Sequence, residues 1–296
     1  MWAYESVFYQ IYPLGFVGAP FENDGVETHR ILKVLDWTDH IKKLGANAIY
    51  FSPVFESDTH GYNTRDYRKI DCRLGSNEDF KQVCDKLHSE GIRVVLDGVF
   101  NHCGSFNKWM DRERIYENAE GYDKGAYVSA DSPYRNYFDF HNQAAWPYNN
   151  SYDGWWGHDT LPKLNYEGSQ ELMDYVLHVA KKWVSPPYNA DGWRLDVANE
   201  VDRGFWRDFR RAAHEENPES VMIGEIWESS ETWLNGDMFD STMNYDFRKN
   251  CRDFFALRKI SAEEFHDRIV KMLLRYRTGT LRGQLNLLDS HDVNRF

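Results

Sequence analysis

Residues 94–102 read Val94-Val95-Leu96-Asp97-Gly98-Val99-Phe100-Asn101-His102, and residues 192–196 read Gly192-Trp193-Arg194-Leu195-Asp196. Each is an apolar run too short for a core helix, and each turns polar at its C-terminal end. Runs of this kind suit strands buried on both faces, the pattern of a parallel sheet. Similar runs lie at 7–13, 48–54, 221–227, 238–244 and 285–291, so seven strands are predicted. Segments of helical period fall between them, at about 28–44, 76–90, 169–185, 203–216 and 261–277. In the second, Ser76 with Asp79 three residues on and Gly91 beyond marks both helix ends. Strands alternating with helices predict an α/β fold, a (β/α)8 TIM barrel that looks incomplete at seven strands. The third strand is separated from its helix by residues 103–168, far beyond the roughly 2–6 residues of an ordinary βα loop. An inserted subdomain is therefore expected at 103–168, between barrel segments 1–102 and 169–296.

Composition excludes several classes of function. A net charge of −12 opposes nucleic-acid binding, which needs clustered Lys and Arg. No apolar stretch approaches the roughly 20 residues of a membrane span. The start, Met1 to Ser6, lacks the basic-then-apolar order of a secretory leader. Cys72, Cys84, Cys103 and Cys251 have neither C-x-x-C nor zinc spacing and read as free thiols. A cytoplasmic protein with a neutral ligand is the expectation, its oligomeric state left open. Aromatic content of 16%, with eleven Trp, suits surfaces that stack on sugar rings.

Four predicted strands end in polar clusters: Asp97 with Asn101 and His102, Arg194 with Asp196, Glu225, and His291 with Asp292. In a βα barrel all strand C-termini open on one face, which would bring these clusters together. A buried unpaired carboxylate costs several kcal/mol, so three gathered on one rim call for a function.

Asp97-Gly98-Val99-Phe100-Asn101-His102, Gly192 to Glu200, Gly224-Glu225-Ile226-Trp227 and Leu288-Asp289-Ser290-His291-Asp292 resemble, in order, the four conserved regions of the α-amylase family. Ala198-Asn199-Glu200-Val201-Asp202 and Leu161-Pro162-Lys163-Leu164-Asn165 resemble its neopullulanase, cyclomaltodextrinase and maltogenic amylase branch. The resemblance implies a retaining α-glucoside hydrolase, with transfer to a second sugar as an alternative fate, acting on maltooligosaccharides, cyclodextrins or pullulan at α-1,4 and also α-1,6 bonds. It casts Asp196 as nucleophile, kept ionised by Arg194, and Glu225 as general acid/base with a raised pKa. Their carboxyls would stand about 5–5.5 Å apart. Asp292 becomes the third carboxylate. His102 and His291 would bond the same sugar, Tyr62 would stack beneath it, and Asp97 and Asn101 would shape the site. No organic cofactor is implied. Some members of the family bind calcium, but Glu22-Asn23-Asp24-Gly25 is too short an acidic loop to claim a metal. Trp155 and Trp156 read equally as outer sugar platforms or as packing.

The rival readings are a non-catalytic carbohydrate-binding barrel, which would be expected to lack one of the carboxylates, and a truncated chain with little activity. The sequence ends at Phe296, just past the seventh strand, so an open seven-stranded barrel is expected, with Asp292 the least secure carboxylate.

Overall fold

The computed structural model describes residues 1–141 and 151–296; residues 142–150 of the expected insertion lie outside them. Its strands are β1 Phe8–Ile11, β2 Ala48–Phe51, β3 Phe55–Ser57, β4 Thr64–Ile70, β5 Arg93–Gly98, β6 Gly192–Leu195, β7 Val221–Gly224 and β8 Ser241–Thr242. Six of them pair in parallel in the order β1-β2-β5-β6-β7-β8 and curl into a half-barrel, a partial (β/α)8 fold. The register sets Asp97 opposite Arg194 and Leu195 opposite Gly224. Residues one step past Leu195 and Gly224, Asp196 and Glu225, therefore leave the sheet at the same height.

The helices are α1 Pro13–Phe16, α2 Thr38–Lys43, α3 Asn77–Ser89, α4 Gln170–Val184, α5 Arg203–Glu216, α6 Tyr245–Cys251, α7 Ala262–Leu274 and α8 Thr278–Gly283. Helix α3 carries the expected capping box: Asp79 N–H donates to Ser76 Oγ (3.1 Å) and Ser76 N–H to Asp79 Oδ2 (2.7 Å). Gly91, at φ +76°, turns the chain out of it. The helix expected over 28–44 is split, because Arg30–Trp37 winds as a 3-10 helix before α2. Ile31 and Val34, three apart, are both fully buried there, a spacing that eclipses on a three-residue turn.

Two other expectations are corrected. The seventh strand, 285–291, contributes one parallel bridge, Met243 to Leu285, so six strands pair rather than seven. That segment has a ladder neighbour on one side only, and Asn286 instead accepts a side-chain hydrogen bond from Asn244 (2.8 Å). Between it and β1 lies a cleft of about 1150 Å³ reached by Gln10, Tyr50 and His291. The antiparallel hairpin β3–β4 was not expected, because Thr64-Arg65-Asp66-Tyr67-Arg68-Lys69-Ile70 is too polar to read as a strand.

The aromatic excess belongs largely to the core. Trp183, Trp193 and Trp206 are buried with Phe100, Phe205 and Phe209 where α4 and α5 cover the sheet, each worth about 1.5–3 kcal/mol of apolar burial. Trp156, Trp227 and Trp37 are the exposed tryptophans among the described residues, at 78%, 49% and 39%. The described part of 103–168 consists of turns, short 3-10 stretches and isolated bridges, one of which ties Lys163 back to His102.

Candidate active site

Arg194 organises the rim. Fully buried, it reaches Asp97 through Nη1 (3.0 and 3.1 Å to the two oxygens) and Asp196 Oδ1 through the same nitrogen (2.7 Å). Its Nη2 lies 2.8 Å from Glu225 Oε2, an ion-pair contact outside hydrogen-bond angles. One cation thus serves three buried carboxyl groups. Tyr50 and Tyr62 both donate to Asp97 Oδ2 (2.7 and 2.9 Å), which completes its coordination.

The backbone after β6 is shaped to hold Glu225. Val197 sits at φ +46°, a left-handed conformation that β-branched residues rarely adopt. In it, the Val197 amide donates to Glu225 Oε2 (3.0 Å) and Ala198 N–H to the Glu225 carbonyl (3.2 Å). Strain of this kind costs about 1–3 kcal/mol and persists where surrounding contacts over-determine it. Val197→Gly is therefore expected to change unfolding free energy by less than about 1 kcal/mol, the relief of strain offsetting the lost packing. A larger loss in urea denaturation would mean that the site stores no strain here.

The protonation pattern reverses the expected one. Burial raises the Asp196 carboxyl well above the usual carboxylate range; Arg194 opposes this, while Glu225 and Asp97 add to it. At Glu225 burial also pushes upward, but Arg194, the Val197 amide, the Trp227 indole and a hydrogen bond with Asp196 outweigh it and hold that carboxyl below its ordinary value. Both carboxyls contact the one guanidinium, Asp196 at 2.7 Å and Glu225 at 2.8 Å. The guanidinium draws both inward, and like charges so held titrate as a pair.

The remaining expected residues are placed as follows. Tyr62 and His291 stack (5.3 Å, 10°), and the Tyr62 hydroxyl meets His291 Nε2 at 2.6 Å. Gln10 meets His291 Nδ1 at 2.8 Å. Asp292 is the least anchored carboxyl, its side chain 34% exposed against 8% and 7% for Asp196 and Glu225. Burial raises its pKa, with His291 opposing and Glu225 adding. His102 and Asn101 do not face open space. Both are 1% exposed, and the His102 nitrogens meet the Tyr62 carbonyl (3.0 Å) and Asn101 Nδ2 (3.2 Å). Burial lowers His102 to about 4, so it is a neutral ring bracing the Tyr62 loop. Trp155 stacks on it, and Trp156 stacks on Trp155 while donating to Glu200 Oε1 (2.8 Å).

Sequence reasoning missed Tyr50, Gln10, Trp227 and Tyr245. Trp227 donates to Glu225 Oε1 (3.0 Å), and its position two residues on was the available signal. No local signal marks the other three.

Among the described residues, Glu56, Asp71 and Cys72 form a group whose ligand atoms all lie within 4.8 Å. Asp71 is already paired with Arg73 (2.7 Å), and burial, then Glu56, lift the Cys72 thiol to about 11. A cation in place beside Asp71 and a protonated thiol do not suit calcium, which takes oxygen ligands.

The family model for the alpha amylase catalytic domain matches residues 10–296. The chain is 37% identical to a cyclomaltodextrinase of Thermoanaerobacter pseudethanolicus, over 100% of its own length and 52% of that protein. It is 36% identical to neopullulanase 2 of Thermoactinomyces vulgaris, over 100% of its length and 51% of that protein. Among solved structures, the ligand-free cyclic alpha-maltosyl-(1→6)-maltose hydrolase of Arthrobacter globiformis superposes with a TM-score of 0.83 at 34% identity, covering 98% of this chain and 66% of that one. The chain thus spans about half the length of the curated relatives it matches.

Proposed function

Because the chain belongs to the α-amylase catalytic-domain family, we propose that its rim catalyses hydrolysis of α-glucosidic bonds with retention of configuration. The observation that carries this reading is the single guanidinium shared by Asp97, Asp196 and Glu225 where the strands end. Retention by double displacement needs one ionised carboxylate to attack and one protonated carboxyl to donate. Two coupled carboxyls held by one guanidinium supply both when Glu225 carries the proton and Asp196 is ionised. Asp196 then attacks the anomeric carbon while Glu225 protonates the leaving oxygen, and Glu225 afterwards takes a proton from water. The cluster keeps a net negative charge, which favours an oxocarbenium-like transition state. Asp292 and His291 would bond the sugar hydroxyls, with Tyr62 beneath the ring.

Maltooligosaccharides, cyclodextrins and pullulan are the proposed substrates, at α-1,4 and also α-1,6 linkages, with transfer as the competing fate and no organic cofactor. The free cysteines agree with a reducing, cytoplasmic setting. Incubation with a maltooligosaccharide should release reducing ends whose first-formed anomer is α by NMR. Cyclodextrin and pullulan should be cut faster than insoluble starch. Initial β product would overturn the mechanism, faster attack on granules the substrate class, and sugar binding without cleavage would favour a non-catalytic barrel.

A further inference from the structure

Trp227 is half exposed, yet its indole N–H is aimed at Glu225 Oε1 (3.0 Å). An exposed tryptophan on a loop has several rotamers open to it, and only one makes this bond. What selects that rotamer is Tyr245, at the start of α6. Its ring lies 3.9 Å from the indole at an interplanar angle of 7°, while the tyrosine itself is 6% exposed. The Tyr245 hydroxyl meets Ser290 Oγ at 3.2 Å, and that oxygen accepts the Asp292 amide (3.3 Å).

We propose that Tyr245 is a positioning residue: by stacking flat on Trp227 it fixes the indole hydrogen bond that governs proton occupancy at Glu225. This rests on the reading of Glu225 as the acid/base. A hydrogen bond to a carboxylate stabilises its ionised form, so loss of the bond raises the pKa. Glu225 also faces Arg194 and Asp196 from the β6 exit, Tyr50 from β2 and Asp292 from the C-terminal segment. Of these, only Asp292 is linked to Tyr245, through Ser290, and Tyr245→Phe reports any effect of that link separately; Tyr245 itself is buried with its ionisation pushed far above neutrality.

The test follows the Glu225 carboxyl by 13C NMR titration, assigned with Glu225→Gln. Trp227→Phe, which removes the N–H, should raise the Glu225 titration by about one pH unit, the worth of one charge-assisted bond. Tyr245→Leu and Tyr245→Met should raise it by a similar amount, with a folded near-ultraviolet spectrum checked for each. Tyr245→Phe keeps the ring and should titrate as the parent does. The proposal is overturned if the non-aromatic variants titrate like the parent, or if Tyr245→Phe shifts as far as they do. Should both non-aromatic variants fail to fold, Tyr245→Gln, which also removes the ring without adding a charge, takes their place and must raise the Glu225 titration while Tyr245→Phe does not. Loss of turnover in Glu225→Gln is scored separately, so the catalytic reading and the positioning role can fail independently.

Discussion

Asp196→Asn and Glu225→Gln are each expected to reduce turnover by at least about a thousandfold, on the order of 4 kcal/mol of barrier. Their stabilities should differ. Burial raises the Asp196 carboxyl well above the usual carboxylate range, so its exchange for an amide of the same shape should change the melting temperature the less of the two. Glu225 is ionised and bonded to Arg194, the Val197 amide and Trp227, so Glu225→Gln should lose about 1–3 kcal/mol. A carboxyl whose folded pKa is depressed stabilises above its unfolded pKa and loses that contribution as pH falls through the folded value. The deficit of Glu225→Gln should therefore shrink as pH falls below the ordinary carboxylate range. Equal stability losses in the two variants would contradict the opposite shifts of the two carboxyls, and either variant retaining more than about a tenth of the turnover would remove that residue from the chemistry.

Arg194→Leu should be the most damaging substitution for stability. It leaves Asp97, Asp196 and Glu225 buried without their common cation, a loss of about 3–5 kcal/mol. Without the guanidinium, the largest influence holding Glu225 down, burial lifts the folded pKa of that carboxyl above the unfolded one. Such a group stabilises at low pH and loses that stability as pH rises through the raised value. Urea unfolding should thus show a larger deficit at pH 8 than at pH 5. Arg194→Lys should recover only part, since an ammonium cannot reach all three carboxyls as the planar fork does. A deficit independent of pH would mean that the carboxyls are not the reason for the buried arginine.

Much of the site's location was legible before any coordinates. Asp97, Arg194, Asp196 and Glu225 all lie at or just past strand ends, and parallel strands share one rim by construction. The end of α3 was equally legible, because Ser76, Asp79 and Gly91 act within one turn of themselves. His102, expected to bond the sugar, and Asn101, expected to shape the site, are each 1% exposed and hydrogen-bonded to neighbours in the structure. Polar groups at a strand exit look alike in sequence whether they face a ligand or one another.

What the sequence by itself determined was therefore the order of strands and helices, the helix caps and the set of ionisable groups brought to the rim, since each depends on period, local hydrogen bonds or chain direction. Only the tertiary structure decided the opposite directions in which the two carboxyls are shifted. Asp196 and Glu225 differ through the Val197 amide, the Trp227 indole and the angle at which Arg194 meets each of them. Desolvation and Coulomb terms in a low-dielectric rim depend on separations of a few ångströms, and those separations are set by the register of β5, β6 and β7 together with the left-handed turn at Val197. The same holds for Tyr245, which comes from α6, eighteen residues beyond the indole it covers. Its role could not be read from residue type, because it arises from where packing sets one flat ring against another.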